Sequence, residues 1–254
     1  MNDRALLDLA FDLAGRAGEL IMQIRARGFA TMEKPDESPV TEADHAAEAL
    51  IVAGLRAACP DIPVVAEEEI AAGHVPRDAQ VLWVVDPLDG TREFARRSDD
   101  FAVCIGLVRH GAAALGVVGQ PVTGALFGGI VGQGAWKREG GIERPISARH
   151  PPASGLSVVA SRHYADDPRL TPFLEGRKVA DVVHMGSALK FCRVAEGIAD
   201  LYPRFGPTME WDTAAAHALV EAAGGSIRLL DDGGPLRYGK PEWRNPPFVC
   251  AGRM

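Results

Sequence analysis

The sequence has no long hydrophobic run. No stretch within its 254 residues approaches the roughly 20 apolar residues that a membrane-spanning helix needs. Near the N-terminus, Asp3, Asp8 and Asp12 interrupt the apolar residues, so the unbroken apolar segment of a secretory signal is missing. The chain is therefore expected to be cytoplasmic and to carry no integral membrane segment.

Closely spaced cysteines are also lacking. The four cysteines are far apart, form no CxxC pair and sit among apolar or small residues, at positions Cys59, Cys104, Cys192 and Cys250. This pattern favours buried, reduced thiols over a disulfide framework or a zinc site.

Positive charge is in short supply. The 27 Lys and Arg residues are outnumbered by 34 Asp and Glu residues, which gives a formal net charge of −7. Such a balance argues against a protein that binds nucleic acid through a basic face. It does not exclude a small phosphorylated ligand, because one basic or metal-filled pocket can reverse the charge locally.

The N-terminal half shows helical and then strand-like patterns. Apolar residues recur three or four positions apart over residues 3–26 and about 42–58, which predicts two amphipathic helices. The turn-rich segment between them is expected to form a functional loop or a hairpin. Short β-branched runs then predict strands that pair mostly antiparallel, at 62–66, 81–86, 101–108, 114–120 and 125–131.

A Pro-rich segment at 145–155 is the best candidate for a domain boundary, and it divides the chain into residues 1–150 and 151–254. Beyond it, predicted strands and helices alternate. The strands are expected near 156–160 and 226–230 and the helices near 187–198 and 212–223. The pattern indicates an α+β N-terminal half joined to an α/β C-terminal half.

Two aspartates follow the strand at 81–86. In WVVDPLDGT the strand delivers Asp86 at its end, and Pro87 and Gly90 turn the chain so that Asp89 points back toward Asp86. Carboxylates this close repel each other unless a cation lies between them, and oxygen ligands suit Mg²⁺. The following TREFARR can begin a helix whose first amides are free to bind a phosphate oxygen. An Asp-Gly turn with an Asp cap is the alternative interpretation.

Three further acidic segments each have a simple structural explanation when taken singly. The run Glu67–Glu69 is typical of a solvated turn. Thr41-x-x-Asp44 has the spacing of a helix capping box, and Asp212 precedes an Ala-rich helix as an N-cap would. Their value as ligands depends on whether the fold brings them to Asp86 and Asp89.

The motifs VTEAD, AEEE, WVVDPLDGT and EWDTAAAHALVEAAGG together resemble the inositol-monophosphatase-like superfamily of lithium-sensitive, magnesium-dependent phosphatases. Within it, GSALKFCRVAEGIADLYPRFGPT is similar to the bacterial CysQ type, the 3′(2′),5′-bisphosphate nucleotidases. The resemblance runs from the first helix to about Gly225. It implies a layered αβαβα sandwich of the inositol monophosphatase/fructose-bisphosphatase type.

The resemblance also implies roles for individual residues. Two or three Mg²⁺ ions would be held by four carboxylates and one backbone carbonyl, from Glu67, Asp86, Asp89, Asp212 and Leu88 respectively. Thr91 and Asp44 match the pair that orients and deprotonates the attacking water, and Glu68 matches a supporting carboxylate.

Substrate contacts follow from the same resemblance. Gly90 and Thr91 would present backbone amides to the scissile phosphate. The positions that match phosphoadenosine contacts are Ser187, Lys190 and Arg204, and Asp212 is expected to lie beside the substrate as well as the metal. Where the family often has a histidine, this sequence has His163 and Tyr164, and either one can take that role.

The implied reaction is hydrolysis of 3′-phosphoadenosine 5′-phosphate to AMP and phosphate, with its sulfated precursor as a second candidate substrate. The sequence has neither a Cys-x5-Arg loop nor a DxDx[TV] string, so direct in-line attack by water is expected rather than a phosphoenzyme. The alternatives are an inositol-monophosphate, histidinol-phosphate or fructose-1,6-bisphosphate phosphatase, and a non-catalytic nucleotide-binding module. Homodimers and association with the inner face of the membrane occur among relatives and are carried over as expectations.

Overall fold

The computed structural model describes residues 1–33, 39–74 and 79–253. Two long helices, α1 (Asp3–Arg27) and α2 (Glu42–Ala58), begin the chain and match the predicted boundaries within one residue. Between them, β1 (Thr31–Glu33) and β2 (Pro39–Thr41) pair antiparallel, which confirms the hairpin alternative for this segment. Residues 34–38, at its centre, lie outside the described residues.

A seven-stranded sheet forms the centre of the N-terminal half, with its strands in chain order across the sheet. The strands are β3 (Val64–Ala66), β4 (Val81–Asp89), β5 (Ala102–Arg109), β6 (Ala112–Gln120), β7 (Ala125–Ile130), β8 (Gly134–Glu139) and β9 (Ile142–Ile146). Only the β3–β4 pair among these is parallel, so the predicted antiparallel pairing is confirmed for the rest. The short helices α3 (Glu67–Ala71) and α4 (Thr91–Ala95) follow β3 and β4.

The C-terminal half contains a mixed five-stranded sheet in the order β11-β10-β12-β16-β14. Its strands are β10 (Leu156–Ser161), β11 (Val179–Met185), β12 (Leu201–Arg204), β14 (Ser226–Leu229) and β16 (Phe248–Ala251). A small separate pair joins β13 (Thr208–Met209) to β15 (Arg244–Asn245). The helices are α5 (Leu170–Leu174), α6 (Leu189–Ala195) and α7 (Ala214–Ala222).

These elements stack in five layers. Helices α1 and α2 cover one face of the seven-stranded sheet, and α6 and α7 lie between its other face and the five-stranded sheet. Phe173 and Leu174, at the end of α5, pack on the outer face of the five-stranded sheet. The predicted αβαβα sandwich is therefore confirmed. One buried cluster reaches from Cys104 and Val118 through α7 to Phe248, so the two halves share a core, and the division at residue 150 stays a prediction.

The close approach of α7 to the seven-stranded sheet requires glycine. A Cβ atom on Gly106 of β5 would lie 2.6 Å from the backbone nitrogen of Ala215, and one on Gly116 of β6 would also collide with Ala215. Two glycines on the sheet facing an Ala-rich helix therefore let backbone pack against backbone. This contact fixes the start of α7, which begins two residues after Asp212.

Several strands were missed by the sequence analysis, namely β8, β9, β11, β12, β13, β15 and β16. Two of them are edge strands with largely exposed side chains, β9 containing Pro145 and β11 exposing Val182 and Val183. Such strands lack the alternation of buried and exposed residues on which strand prediction depends. Helices α6 and α7 are also shorter than predicted. For α6 the reason is the backbone on either side, since Ser187 before the helix has a positive φ of 53° and Gly197 after it has one of 75°.

All four cysteines are buried and free, as predicted. Within the described ranges, no helix is both long enough and apolar enough to cross a membrane.

Candidate active site

The end of β4 forms the floor of the site. Asp86 is 2% exposed, and one of its oxygens, Oδ1, accepts a hydrogen bond of 3.0 Å from the backbone amide of Leu88. The pairing of β4 with β5 shifts register between Asp86 and Asp89. Gly90 then adopts a left-handed conformation with φ of 96°, where a side chain would be strained, and α4 begins at Thr91. The turn thus directs both aspartates to one side, as predicted.

Asp212 reaches the same place from the other half of the chain. Each of Asp86, Asp89 and Asp212 offers one ligand atom, and these atoms all lie within 4.8 Å of one another. Asp212 is not the N-cap of α7, because Thr213 occupies that position. Its Oδ2 instead accepts a 2.9 Å hydrogen bond from the amide of Met209. The simpler capping interpretation of Asp212 is therefore wrong.

The electrostatics of the cluster call for a cation. Burial raises the pKa of Asp86 well above its usual range, and the charges of Glu67, Asp89 and Asp212 raise it further. Burial and the same crowding raise the pKa of Asp212 to about 8. Burial also raises the pKa of Asp89, although the nearby Lys190 charge and the Ala188 amide oppose this. Three oxygen ligands that repel one another fit a hard divalent ion such as Mg²⁺.

The acidic run after β3 divides into different environments. Glu67 lies on the cavity wall, outside the three-aspartate group but close enough to raise the pKa of Asp86 and Asp212. Glu68 is 7% exposed and does not line the cavity. Glu69 pairs at the surface with Arg56, at 2.8 Å. The interpretation of this run as a uniformly solvated turn is therefore wrong.

Asp44 performs two tasks at once. Its Oδ2 accepts hydrogen bonds from the amide and the hydroxyl of Thr41, at 2.8 and 2.7 Å, which completes the predicted capping box of α2. Its Oδ1 accepts a 2.9 Å hydrogen bond from the hydroxyl of Thr91. Burial raises the Asp44 pKa, whereas the Thr41 hydrogen bonds lower it. Because each oxygen has its own role, the capping and site interpretations do not compete.

A cavity of about 390 Å³ opens beside these carboxylates. It brings most of the predicted residues together, since its wall includes Glu67, Asp89, Gly90, Thr91, Ser187, Lys190, Arg204 and Asp212. Asp44, Asp86 and the side chain of Leu88 lie behind the wall. The Leu88 carbonyl accepts a hydrogen bond of 3.1 Å from Thr91 Oγ1.

Two cationic side chains at the cavity, Lys190 and Arg204, are held by hydrogen bonds to backbone carbonyls. Lys190 is 3% exposed, its Nζ donates to the carbonyl of Ser187, and it stands 5.2 Å from the centre of the Tyr202 ring. Burial lowers the Lys190 pKa to about 8, while the charge of Asp89 opposes the shift. Lys190 is therefore a buried cation at the cavity rather than a solvated residue on the surface of α6. Arg204 donates to the carbonyls of Gly206 and Pro207.

The rim of the cavity contains residues that the sequence left open or missed. His163 and Tyr164 both line it, with their rings edge-on and 4.7 Å apart. Arg204 lies over the Tyr164 ring at 4.8 Å, and Arg92 contacts His163 Nε2 at 2.9 Å. Arg92 was missed because an arginine in a short helix has no distinctive pattern.

Aspartates of the N-terminal half also hold the turn before α6. Asp100 accepts from the Gly186 amide at 3.0 Å and pairs with Arg162 at 2.6 Å, while Asp89 accepts from the Ala188 amide. Ser187, between these two anchors, has the positive φ of 53° noted above. Asp100 was missed by the sequence analysis, because only the approach of the two halves reveals its partners.

Comparison with known proteins agrees with this architecture. The model of the inositol monophosphatase family matches residues 2–249. The chain belongs to the inositol monophosphatase family. The predicted family resemblance is thereby confirmed.

Several relatives within the inositol monophosphatase family carry a more specific name. The 3′(2′),5′-bisphosphate nucleotidase CysQ of Escherichia coli O157:H7 is 45% identical over 248 residues, which cover 96% of this chain and 98% of that protein. The protein of the same name from Buchnera aphidicola is 40% identical over 92% of this chain and 88% of its own.

Solved structures of family members share the fold. The crystal structure of CysQ from Bacteroides thetaiotaomicron superposes with a TM-score of 0.85 at 34% identity, covering 99% of this chain and 98% of that one. The inositol monophosphatase from Anabaena superposes with a TM-score of 0.78 at 28% identity, covering 100% of this chain and 92% of that one.

Proposed function

We infer that this protein is a magnesium-dependent 3′(2′),5′-bisphosphate nucleotidase, which hydrolyses 3′-phosphoadenosine 5′-phosphate to AMP and phosphate. The observation that carries this inference is a cavity that lies beside the three-aspartate cluster and also has the buried cation Lys190 on its wall. Asp89 and Asp212 line this cavity, and Asp86 lies directly behind them. The relatives named as nucleotidases match along nearly the whole chain, which supports the same substrate class.

The metal would be held by Asp86, Asp89, Asp212 and Glu67, together with the carbonyl of Leu88, and we propose two or three Mg²⁺ ions. When bound, Mg²⁺ acidifies water and neutralises charge on the phosphate oxygens. The donor set fits this role because the mutual repulsion of its closely spaced carboxylates is relieved only by a cation or by protons.

The chain's own residues would handle the water. Thr91 Oγ1 would orient the attacking water. The proton of that water would pass through the Thr91 hydroxyl to Asp44 Oδ1, which lies 2.9 Å from Thr91 Oγ1. The water oxygen would form a bond to phosphorus while the bond to the ribose oxygen breaks in line, and the leaving oxygen would take a proton from solvent water. Glu68, which is buried behind the cavity wall, would serve as a supporting carboxylate near the metal ions. Configuration at phosphorus would be inverted.

The substrate would span the cavity. The amides of Gly90 and Thr91 would contact the scissile phosphate, while Ser187, Lys190 and Arg204 would contact the nucleotide with its second phosphate. Asp212 would lie beside both metal and substrate. Charged donors bind phosphate oxygens strongly, and Lys190 is already held in place by the Ser187 carbonyl.

A phosphate-release assay over four substrates tests this function. The substrates are 3′-phosphoadenosine 5′-phosphate, inositol 1-phosphate, histidinol phosphate and fructose 1,6-bisphosphate, each with Mg²⁺ and with EDTA. We expect the highest kcat/KM for the nucleotide and no turnover in EDTA. A higher kcat/KM for any other substrate would assign the protein to that activity instead, and turnover in EDTA would contradict the metal role.

Assembly and location stay predictions. A homodimer is proposed from the family resemblance, and a cytoplasmic location is proposed because the sequence has no long apolar run. The predicted association with the inner face of the membrane has no support among the described residues.

A further inference from the structure

A second buried carboxylate on α2 lies one turn after Asp44. Glu48 is only 6% exposed, and it belongs to the buried stripe of the helix together with Asp44 and Ile51. Residues four positions apart share a helix face, so Asp44 and Glu48 both point toward the site from α2. Asp44 contacts Thr91, whereas Glu48 contacts the segment that carries Glu67.

Glu48 caps the start of α3 from outside that helix. The amide of Glu68 donates to Glu48 Oε2 at 2.7 Å, and the amide of Glu69 donates to Glu48 Oε1 at 2.9 Å. The first amides of a helix need acceptors from elsewhere, which the N-cap side chain usually supplies. Here the N-cap is Ala66, whose methyl group cannot accept. The carboxylate of Glu48 takes its place.

The position of Glu67 depends on this cap. Glu67 is the first residue of α3 and directly precedes the two amides that Glu48 holds. Glu67 lines the cavity, and its charge raises the pKa of both Asp86 and Asp212. A second contact between the same helices, the ion pair of Arg56 with Glu69, lies at the surface and involves no backbone group.

We propose that Glu48 is a positioning residue for the metal site: by holding the amides of Glu68 and Glu69, it fixes the backbone from which Glu67 reaches the Mg²⁺. This inference rests on the proposed metal role of Glu67. Helix α2 thereby sets two parts of the site at once, the Asp44–Thr91 pair and the Glu67 ligand. Groups behind metal ligands typically change metal affinity about 10- to 100-fold when they are removed.

Mg²⁺ titrations of two variants test the proposal. Glu48→Gln keeps one acceptor but turns an amide group toward the other backbone N–H, and Glu48→Ala removes both acceptors. Calorimetric titration of each purified protein with MgCl2, without substrate, measures the affinity directly. We expect the dissociation constant to rise about tenfold for Glu48→Ala and less for Glu48→Gln. The Mg²⁺ concentration for half-maximal phosphate release should rise in the same order, with the nucleotide KM at saturating Mg²⁺ unchanged.

Two control variants separate positioning from general stability. Arg56→Gln breaks the exposed ion pair to α3 and should leave Mg²⁺ affinity within twofold of wild type. Asp200→Asn removes a carboxylate that is also fully buried, where it accepts from Arg149 and the Ser157 amide, and should lower Tm without changing Mg²⁺ affinity.

The Mg²⁺ affinities of the variants decide whether the positioning role of Glu48 holds. Folded Glu48 variants that bind Mg²⁺ within twofold of wild type would overturn the proposal, and so would an equal weakening in Asp200→Asn. If Glu48→Ala does not fold, Glu48→Gln alone decides by the same criterion. Failure of the proposed function is a separate result, because wild-type protein would then prefer another substrate while the Mg²⁺ titrations remain measurable.

Discussion

At the scale of single residues, the site depends on carboxylates that the fold forces together. Asp86, Asp89 and Asp212 are close enough to share one cation, yet burial favours their protonated forms. Without metal, these carboxylates either repel one another or bind protons. Under the proposed metal role, Mg²⁺ would relieve that repulsion, so affinity for metal and stability of the fold would be linked.

Replacement of Asp212 by Asn should alter the pH dependence of stability. The Asp212 pKa of about 8 exceeds its usual 3.8, so the folded state binds more protons between these pH values. The free energy of unfolding should therefore fall as pH rises through this range. In EDTA, thermal unfolding from pH 5 to 9 should show a shallower fall for Asp212→Asn than for wild type, and Mg²⁺ should stabilise only the wild type strongly. Parallel curves for the two proteins would contradict this account.

Thr91→Val should reduce turnover without weakening the metal site. The valine matches threonine in shape but cannot donate to Asp44 or orient water. We expect kcat to fall about 100-fold, in the range of general acid–base contributions, with calorimetric Mg²⁺ affinity unchanged. Thr91→Ser, which retains the hydroxyl, is the matched control and should keep most of the activity. A similar loss in both variants would show that the hydroxyl is not the important group.

At the scale of elements, short contacts between backbones place the ligands. Helix α7 touches β5 and β6 because Gly106 and Gly116 have no side chain, and this contact holds Asp212 over the end of β4. Two buried carboxylates on α2 hold Thr91 and the start of α3. The contact of α7 with β5 and β6, and the two carboxylates of α2, thus bring elements that are remote in sequence to the same site.

Gly106→Ala should displace the start of α7. Its Cβ would lie 2.6 Å from the Ala215 nitrogen and 2.9 Å from the Ala214 carbonyl carbon, so the helix must move away from β5. We expect a loss of about 1–3 kcal/mol in the free energy of unfolding, measured with urea, together with weaker Mg²⁺ binding. Gly15→Ala in α1 is the control, because the nearest atom would be 3.6 Å away. It should stabilise the protein slightly, and an unperturbed Gly106→Ala variant would refute the packing argument.

At the scale of the whole molecule, the cavity lies where the two halves meet. The N-terminal half supplies Glu67, Asp89 and Thr91 to its wall, and the C-terminal half supplies Ser187, Lys190 and Arg204. Asp100 ties the halves together through Gly186 and Arg162. An acidic protein with a net charge of −7 thus places cations and the three-aspartate cluster around one pocket, an arrangement that suits an anionic substrate.

Lys190→Met should distinguish a substrate with two phosphates from one with a single phosphate. Methionine fills similar space without the charge, and the charge of the buried Lys190 opposes the rise in the Asp89 pKa more than that of Arg204 does. We expect the KM for 3′-phosphoadenosine 5′-phosphate to rise at least tenfold, in keeping with the loss of a charged hydrogen bond. The KM for inositol 1-phosphate, measured in parallel, should change less. Equal changes for both substrates would argue against a role for Lys190 in nucleotide selectivity.

The site could be predicted in part because some of its chemistry is local in sequence. In DPLDGT, the Pro, the Gly and the two aspartates lie within a few residues, so a turn alone brings Asp86 and Asp89 together. The sequence analysis placed Asp212 beside these two aspartates only because of the family resemblance. Glu48 and Asp100 went unnoticed, although Glu48 lies on the same helix stripe as Asp44. An acidic residue on an apolar stripe was a signal that the sequence already contained.

The sequence by itself determined the two long helices, most strands of the first sheet, the buried thiols and the family, because these depend on periodicity or on short motifs. Only the tertiary structure decided that Lys190 is buried, that Asp212 does not cap α7, and that Glu48 caps α3. These facts depend on contacts between residues far apart in the chain, whose burial and partners are set by the packing of layers. Local pattern carries no information about which distant amide a carboxylate will meet.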